Sequence, residues 1–218
     1  MAHLFVIAGH GAGDSGAVGY GYTEAERVRA LAGRLAALGG NNVTVGDTKR
    51  NWYADKGISS LSIPKNWQII ELHMDGASPS ARGGHVIIKS GYNPDSYDTA
   101  LAQFIGGFTP GRANTIVGRS NLANVNRAAA KGYSYRLLEC GFITNQTDLN
   151  KFNSNLDDLA RGILSAFGIG AVAKAGWISD KIGWWYRSSD GSYPKNQWCQ
   201  IGGDWYWFDN RGYAVHDT

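Results

Sequence analysis

Two histidines and two glutamates of this sequence lie where predicted strands or helices border loops. His10 and His73 follow short apolar runs, Glu139 ends a third such run, and Glu24 begins a predicted helix. Parallel strands share one carboxyl edge, and the helix after a strand begins there, so the four side chains are expected to converge. Two imidazoles and two carboxylates are what a catalytic zinc site needs. Three would bind the metal and leave a position open for water, and the fourth would act as a base.

Other polar residues near these four are further candidates. Glu71 shares the strand face of His73 and is the rival metal ligand. Asp75, two residues after His73, could orient an imidazole, and Asp14 could orient the ring of His10 or fix its glycine-rich loop. The remaining histidines are expected to play no part, since two open their strands at the opposite edge and one lies in the tail: His3, His85 and His216.

The helix that carries Glu24 has a defined start. Thr23 followed three residues later by Glu26 is a capping box, in which each side chain accepts a hydrogen bond from the other residue's backbone amide. Apolar residues spaced three or four apart continue to the glycine pair at 39–40, which ends the helix. Because Glu26 caps the helix, Glu24 has no structural role of this kind. It lies at the first helical position, beside the His10 loop, where it is available for the site.

The rest of the first 168 residues alternates between predicted strands and helices. Strands are predicted at residues 5–8, 42–46, 68–75, 85–89, 115–117 and 135–139, and further helices at residues 97–104, 122–130 and 156–167. Residues 47–65 show no clear period and are interpreted as a surface excursion. The alternation predicts an α/β fold with a mostly parallel central sheet flanked by helices.

The length and composition of the chain limit the functions that it can have. The 218 residues allow one full domain and a small one, and a net charge of +3 without a basic block argues against a nucleic-acid partner. No apolar run is long enough for a membrane span, and the N-terminus lacks the features of a signal peptide, so we expect synthesis in the cytoplasm. Cys140 and Cys199 fall in different predicted domains, and two thiols make neither a disulfide framework nor a metal site.

The composition changes after a small-residue linker at residues 169–175. Six of the eight tryptophans lie in residues 176–218. A repeat at a spacing of 21 residues aligns aromatic residues in pairs: Trp177 with Trp198, Trp184 with Trp205, and Tyr186 with Trp207. Each unit predicts an aromatic-rich β-hairpin, with turns at residues 189–191 and 210–212. Because this module is small for an independent fold, we expect it to dock on the first domain or on a second copy of itself.

Four motifs of the first domain occur in a specific order. They are His10-Gly-Ala-Gly-Asp14-Ser-Gly16-Ala, Glu24 before a helix, Leu72-His73-Met-Asp75, and Glu139-Cys-Gly141-Phe142-Ile-Thr-Asn145. In this order and spacing, residues 1–168 resemble the zinc-dependent N-acetylmuramoyl-L-alanine amidases of the type-3 group. The resemblance implies zinc on His10, Glu24 and His73, with Glu139 as general acid/base. It also implies cleavage, by zinc-activated water, of the amide bond between N-acetylmuramic acid and L-alanine in bacterial peptidoglycan.

The motif after His73 departs from that family's pattern. Asp75 stands where the family often has asparagine, which bears on substrate contacts rather than on the metal. Arg82 and Arg119 are candidates, with Asp75, for contacting substrate, since an arginine would pair with the acidic stem peptide. The alternative for both arginines is a solvated surface position.

The aromatic tail resembles choline-binding cell-wall repeats. Aromatic rings attract a quaternary ammonium group through cation–π contacts, and the resemblance implies that choline, or a related teichoic-acid decoration, binds between adjacent hairpins. The candidate residues are Trp177, Trp184, Tyr186, Trp198, Trp205 and Trp207. The alternative is that these rings form the core of a small hairpin module. A homodimer through the tail would double the number of wall-binding sites.

An amidase domain without a signal peptide, joined to a wall-binding tail, resembles a phage endolysin. Such an enzyme is made in the host cytoplasm and reaches the wall when the membrane is opened; a bacterial autolysin would need an export signal. Two alternatives stay open. A zinc peptidase would cut within the stem peptide and differ in its products. A non-catalytic wall-binding protein would be expected to lack the metal ligands or Glu139.

Overall fold

The computed structural model describes residues 2–11, 13–170, 175–188 and 192–215. The chain divides into two units, residues 1–170 and 171–218. Residues 171–174 of the predicted linker, the predicted turn at 189–191, and His216 lie outside the described residues. Within the described ranges, no helix has both the length and the apolar character needed to cross a bilayer.

The first unit contains eight strands and six helices among its described residues. The strands are β1 (Leu4–Ala8), β2 (Val18–Gly19), β3 (Tyr22–Thr23), β4 (Val43–Val45), β5 (Gln68–Asp75), β6 (His85–Lys89), β7 (Ile116–Arg119) and β8 (Ser134–Phe142). The helices are α1 (Glu24–Gly39), α2 (Gly57–Ser60), α3 (Ser96–Phe108), α4 (Ala123–Lys131), α5 (Gln146–Ser154) and α6 (Leu156–Ala166). A short 3₁₀ helix at Gly40–Asn42 follows α1.

Six of these strands form the central sheet, in the order β4-β1-β5-β8-β6-β7. β4, β1, β5 and β8 pair in parallel, whereas β6 runs antiparallel to β8 and carries β7 parallel to itself. All five residues of β1 are buried, as expected for a strand covered on both faces. The predicted α/β fold with a mostly parallel sheet is confirmed.

Helices cover both faces of the sheet. On one face, Phe5 of β1 packs in a buried cluster with Ile58 of α2 and Val125 of α4; on the other, α1 and α3 both contact α6. Most of residues 47–65 are exposed or half-buried, as the interpretation as a surface excursion predicts, but Trp52 belongs to the buried cluster. Its indole meets the Phe5 ring edge-on, and its Nε1 donates to the carbonyl of Asp47 at 3.0 Å. An aromatic anchor thus ties this segment to the core.

The start of α1 follows the predicted capping box. The Glu26 amide donates to Thr23 Oγ1 at 3.2 Å, and the Thr23 amide donates to Glu26 Oε2 at 3.3 Å. The helix ends at Gly39, and Gly40 adopts a φ of +54°. This cap fixes Glu24 as the first helical residue.

The second unit contains two β-hairpins, formed by β9 (Gly176–Ser179) with β10 (Trp184–Arg187) and by β11 (Gln197–Ile201) with β12 (Asp204–Phe208). Trp177 lies opposite Tyr186 in the first hairpin, and Trp198 lies opposite Trp207 in the second. The two hairpins therefore carry aromatic pairs at equivalent positions, in agreement with the 21-residue repeat. The predicted small hairpins are confirmed.

Candidate active site

The parallel strands β1, β5 and β8 bring His10, His73 and Glu139 to one edge of the sheet. His10 lies two residues beyond β1, and His73 and Glu139 are register partners on neighbouring strands. After this pair β8 carries one extra residue relative to β5, so that Asp75 pairs with Phe142. Gly141, with a φ of +134°, accommodates this bulge.

Glu24 lies at the centre of the site and is 4% exposed. Its Oε2 lies 3.0 Å from His10 Nε2, and its Oε1 lies 2.8 Å from His73 Nδ1. The backbone amides of Ala17 and Met74 each donate to this carboxylate at 3.0 Å. The first turn of α1 therefore holds one carboxylate between two imidazoles.

The donor atoms of His10, Glu24 and His73 fit a divalent cation. One ligand atom from each residue lies within 4.8 Å of the others, and two imidazole nitrogens with a carboxylate oxygen form a donor set used by catalytic zinc. Gly16 lines this cradle: a Cβ there would lie 2.6 Å from His10 Cδ2 and 2.7 Å from Glu24 Oε2. A side chain at Gly16 would press on both ligand residues, so glycine at this position leaves room for them and for a metal ion.

Charge complementarity sets the pKa values of these groups. Burial raises the pKa of Glu24, but the hydrogen bonds and charges of His10 and His73 outweigh this effect and hold its pKa well below the ordinary range. Burial lowers the pKa of His73, but Glu24 and Glu71 outweigh it and raise that pKa well above the ordinary value. The Glu24 carboxylate therefore stays ionised. It is stabilised by the positive charge of His10 and His73, and a bound metal ion can supply that charge instead.

Each histidine also contacts a carboxylate through its second ring nitrogen. Asp14 Oδ2 lies 2.9 Å from His10 Nδ1, and Glu71 Oε1 lies 3.1 Å from His73 Nε2. Glu71 therefore contacts the ring nitrogen of His73 that does not face Glu24. The expectation that Asp75 orients an imidazole is wrong, because its Oδ2 pairs with Arg112 at 2.6 Å.

Glu139 lies beside the cluster as a half-buried residue whose Oε2 atom is buried. Its Oε2 has no hydrogen-bond partner among the described residues. Burial raises the pKa of Glu139 to about 8; His73 opposes the rise, Asp75 and Glu24 add to it, and Arg112 opposes it. A carboxyl group whose pKa lies near neutrality can both accept and deliver a proton.

His85 was expected at the opposite edge of the sheet, and that expectation is wrong. Because β6 is antiparallel to β8, its first residue lies opposite Glu139 on the same strand face. Burial, then the charges of Arg112 and Arg119, lower the pKa of His85 to about 4, and its Nδ1 is unpartnered in the part of the chain that is described. The sequence held a signal: nine residues between predicted strands are too few for a parallel crossover.

A cavity of about 380 Å³ opens on these residues. It is lined by His10, Glu24, His73, Met74, Asp75, Gly76, His85, Ile87, Arg119, Asn121, Leu122, Leu137 and Glu139. Of the three predicted substrate residues, Asp75 and Arg119 line this cavity and Arg82 does not. Arg82 instead donates from Nε to the carbonyl of Pro110 at 3.0 Å.

The second unit has an aromatic cavity of about 240 Å³. It is lined by Trp177, Trp184, Tyr206, Ala214 and Val215. Two of the predicted aromatic residues, Trp177 and Trp184, are thus brought together, and Tyr206 joins them although the sequence did not single it out. The other predicted residues lie elsewhere: Tyr186 meets Trp177 edge-on, Trp198 lies against Trp207, and Trp205 is exposed.

Comparison with known proteins identifies the first unit. The profile of the N-acetylmuramoyl-L-alanine amidase family matches residues 4–168. The chain belongs to this amidase family. The match covers β1 to α6, and with them every residue of the His–Glu–His cluster and Glu139.

The chain also has relatives in sequence among known proteins. The Staphylococcus aureus protein named probable autolysin PH is 33% identical over an aligned length of 187 residues, and the match covers 75% of this chain and 37% of that protein. The lysin of Pneumococcus phage Dp-1 is 40% identical over 47 residues, 21% of this chain and 16% of that lysin. This chain therefore spans little more than a third of the autolysin's length.

Solved structures of the amidase family share the fold. The catalytic domain of the CD27L endolysin targeting Clostridia difficile superposes with a TM-score of 0.64 at 18% identity, covering 79% of this chain and 100% of that domain. An N-acetylmuramoyl-L-alanine amidase from Clostridium difficile 630 gives 0.60 at 20% identity, covering 76% and 95%. At these identities the likeness concerns the fold alone.

Proposed function

We propose that this protein is a zinc-dependent peptidoglycan hydrolase that cleaves the amide bond between N-acetylmuramic acid and L-alanine. The observation that carries the proposal is the convergence of His10, Glu24 and His73 with Glu139 in one cavity of a chain in the amidase family. A non-catalytic wall-binding protein would not be expected to keep both the metal-binding residues and the Glu139 carboxyl group.

Each residue has a stated task in this reaction. His10 Nε2, His73 Nδ1 and a Glu24 oxygen would hold the zinc ion. Zinc bound there supplies a Lewis acid that polarises the scissile carbonyl and lowers the pKa of water. Glu139 takes a proton from the attacking water and delivers it to the nitrogen of the leaving alanine, so that water and amide become a carboxylic acid and an amine.

The residues that line the cavity are consistent with a peptide substrate that carries acidic groups. Arg119 lines the cavity and offers a guanidinium for the carboxylates of a stem peptide. Asp75 is held by Arg112, which fixes its carboxylate at the rim. We expect Arg119→Ala to raise KM for intact walls more than it lowers kcat.

Digestion of purified cell walls tests the proposed activity. The wild-type protein should carry about one zinc ion per chain and release muropeptides with new amino-terminal alanine. New amino termini from within the stem peptide would instead identify a zinc peptidase. Metal-replete protein that binds no zinc, or that releases nothing, would contradict the proposal and favour a binding protein.

For the second unit we propose binding of a quaternary ammonium group, such as the choline of a teichoic-acid decoration. The support is the cavity formed by Trp177, Trp184 and Tyr206, whose ring faces suit cation–π contact. Tryptophan fluorescence titrated with choline should saturate in the wild type and weaken in Trp184→Ala. Trp185→Ala is the matched control, because Trp185 contacts Tyr193 instead. Equal binding by all three proteins would overturn the assignment.

Two finer expectations stay predictions. Dimerisation through the tail predicts a doubled mass in sedimentation, lost when the second unit is deleted. Endolysin-like action predicts that the protein, expressed in a host cytoplasm, lyses cells only after a membrane-opening agent is added.

A further inference from the structure

Glu71 is a buried carboxylate that the reaction above does not use. It lies on β5 two residues before His73, on the same strand face, and is 4% exposed. A buried charge is costly unless it is paired and hydrogen-bonded, so its partners indicate what it does.

Both Glu71 oxygens are occupied by donors. Asn124 Nδ2 donates to Oε1 at 3.1 Å and to Oε2 at 3.0 Å, and the Tyr135 hydroxyl donates to Oε2 at 2.7 Å. The fourth contact joins Oε1 to His73 Nε2 at 3.1 Å. These contacts hold the carboxylate between α4, β8 and the ring of His73, with both of its oxygens hydrogen-bonded.

The contact with His73 decides which ring nitrogen carries a proton. An ionised carboxylate can only accept hydrogen bonds, so Nε2 must donate to Glu71. The other nitrogen, Nδ1, is the one that lies 2.8 Å from Glu24. Gly9 packs closely against this side of the ring, since a Cβ there would lie 2.4 Å from Cε1 and 2.6 Å from Nε2.

We propose that Glu71, held by Asn124 and Tyr135, is a positioning residue that fixes the tautomer and orientation of His73 so that Nδ1 faces the metal. This inference rests on the proposed metal site and deepens it. It also assigns Glu71 a role other than that of rival ligand. Carboxylates that accept from the second nitrogen of a ligating histidine tune metal affinity in this way in many sites.

The first test measures the zinc dissociation constant of the full chain by competition with a chromogenic chelator. Glu71→Gln should bind zinc about 10–100-fold more weakly, and Tyr135→Phe should show a smaller loss. Tyr133→Phe is the matched control: it removes a hydroxyl that donates to the Leu61 carbonyl and does not contact Glu71. This control should bind zinc as the wild type does.

The second readout is the histidine tautomer in the zinc-loaded protein, seen by long-range ¹H–¹⁵N NMR. The wild type should carry the His73 proton on Nε2, and Glu71→Gln should show a mixed or broadened pattern. Activity is not needed for this measurement, so it separates positioning of the ring from chemistry.

The outcomes divide cleanly. Wild-type affinity and tautomer in Glu71→Gln would overturn the positioning role while leaving the metal site intact. If Glu71→Gln lost zinc as completely as His73→Ala does, Glu71 would be a metal ligand, and the positioning role would again be overturned. A wild type that binds no zinc would overturn the proposed function and this role with it. If Glu71→Gln does not fold, Tyr135→Phe decides: weakened binding supports the role and unchanged binding overturns it.

Discussion

The two histidines of the site each contact a carboxylate through the second ring nitrogen, but they lie on very different structural elements. His73 lies on a central strand, and its partner Glu71 has a side chain that is 5% exposed. His10 lies on a glycine-rich loop, and its partner Asp14 has a side chain that is 43% exposed. We call His73, Glu71 and Glu139 the strand side, and His10 and Asp14 the loop side. The comparison indicates that the strand side is fixed by the core, whereas the loop side depends on its own backbone.

The loop side is also strained. His10 has a φ of +63°, a left-handed conformation that costs a residue with a Cβ roughly 1–2 kcal/mol. The loop is held by reciprocal backbone hydrogen bonds between Gly11 and Asp14, and by Arg29, which donates to the His10 carbonyl at 2.9 Å. Strain of this kind persists where surrounding contacts over-determine the conformation, as they do here.

The largest effect is expected on the strand side, at Glu139. Glu139→Gln keeps the shape of the side chain but cannot accept and deliver a proton, so wall lysis should fall about 10²–10⁴-fold. Zinc content should stay at the wild-type level, because Glu139 is outside the cluster. Turbidity loss of wall suspensions and metal analysis measure the two quantities together. Loss of zinc in this variant would make Glu139 a ligand and break the division of roles.

The next effect concerns His85 and acid stability. Its pKa falls to about 4 in the folded protein, so the unfolded chain gains a proton that the folded chain does not as pH drops from about 6.5 toward 4. Stability is therefore full above that window and is lost through it, by up to about 3 kcal/mol. His85→Gln should flatten this part of the profile in urea unfolding. An unchanged slope would show that His85 ionises freely in the folded protein.

A smaller effect should come from the backbone of the loop side. His10→Ala and His10→Gly both remove an imidazole, but glycine adopts a φ of +63° without the Cβ penalty. The metal-free glycine variant should be more stable than the alanine variant by about 0.5–1 kcal/mol. Denaturant midpoints compare the pair directly. Equal midpoints would mean that the loop relaxes and stores no strain.

The smallest effect is expected at Asp14. Because this carboxylate is exposed, Asp14→Asn should weaken zinc binding by no more than about 5-fold. The same chelator competition used for Glu71→Gln gives the comparison. If Asp14→Asn weakens zinc binding as much as Glu71→Gln does, the exposure of the carboxylate does not distinguish the loop side from the strand side.

The convergence of His10, Glu24, His73 and Glu139 could be predicted from the sequence because parallel strands share an edge. The runs before His10, His73 and Glu139 gave the strands, and the capping box at Thr23 and Glu26 placed Glu24. These signals are local, and the topology that joins them is the common one for alternating strands and helices.

What the sequence did not reveal depends on strand direction and on long-range packing. The residue pattern of a strand is the same in either direction, and only the nine-residue connection before β6 indicates that it is antiparallel, so the pattern alone put His85 at the wrong edge. Trp52 anchors to Phe5 across the fold, which no local pattern shows. Helix α5 was missed although Asn145 caps it, accepting from the amides of Thr147 and Asp148. That cap was a readable signal.

The tail shows a different limit. The 21-residue repeat identified the aromatic positions and the hairpins, because both are periodic along the chain. Which rings share a cavity depends on how one hairpin packs on the other, and so Tyr206 joined Trp177 and Trp184 without a sequence signal.

The antiparallel direction of β6 has one more consequence. Residues 76–84 leave β5 and enter β6 at the same edge, so this connection crosses the end of β8 without a helix behind the sheet. Both of its borders, Gly76 and His85, line the cavity. Insertions or exchanges in this loop would reshape the rim of the cavity and leave the sheet register untouched. Proteins with this fold can therefore differ in substrate preference through the length of this loop, while the site residues on the strands stay the same.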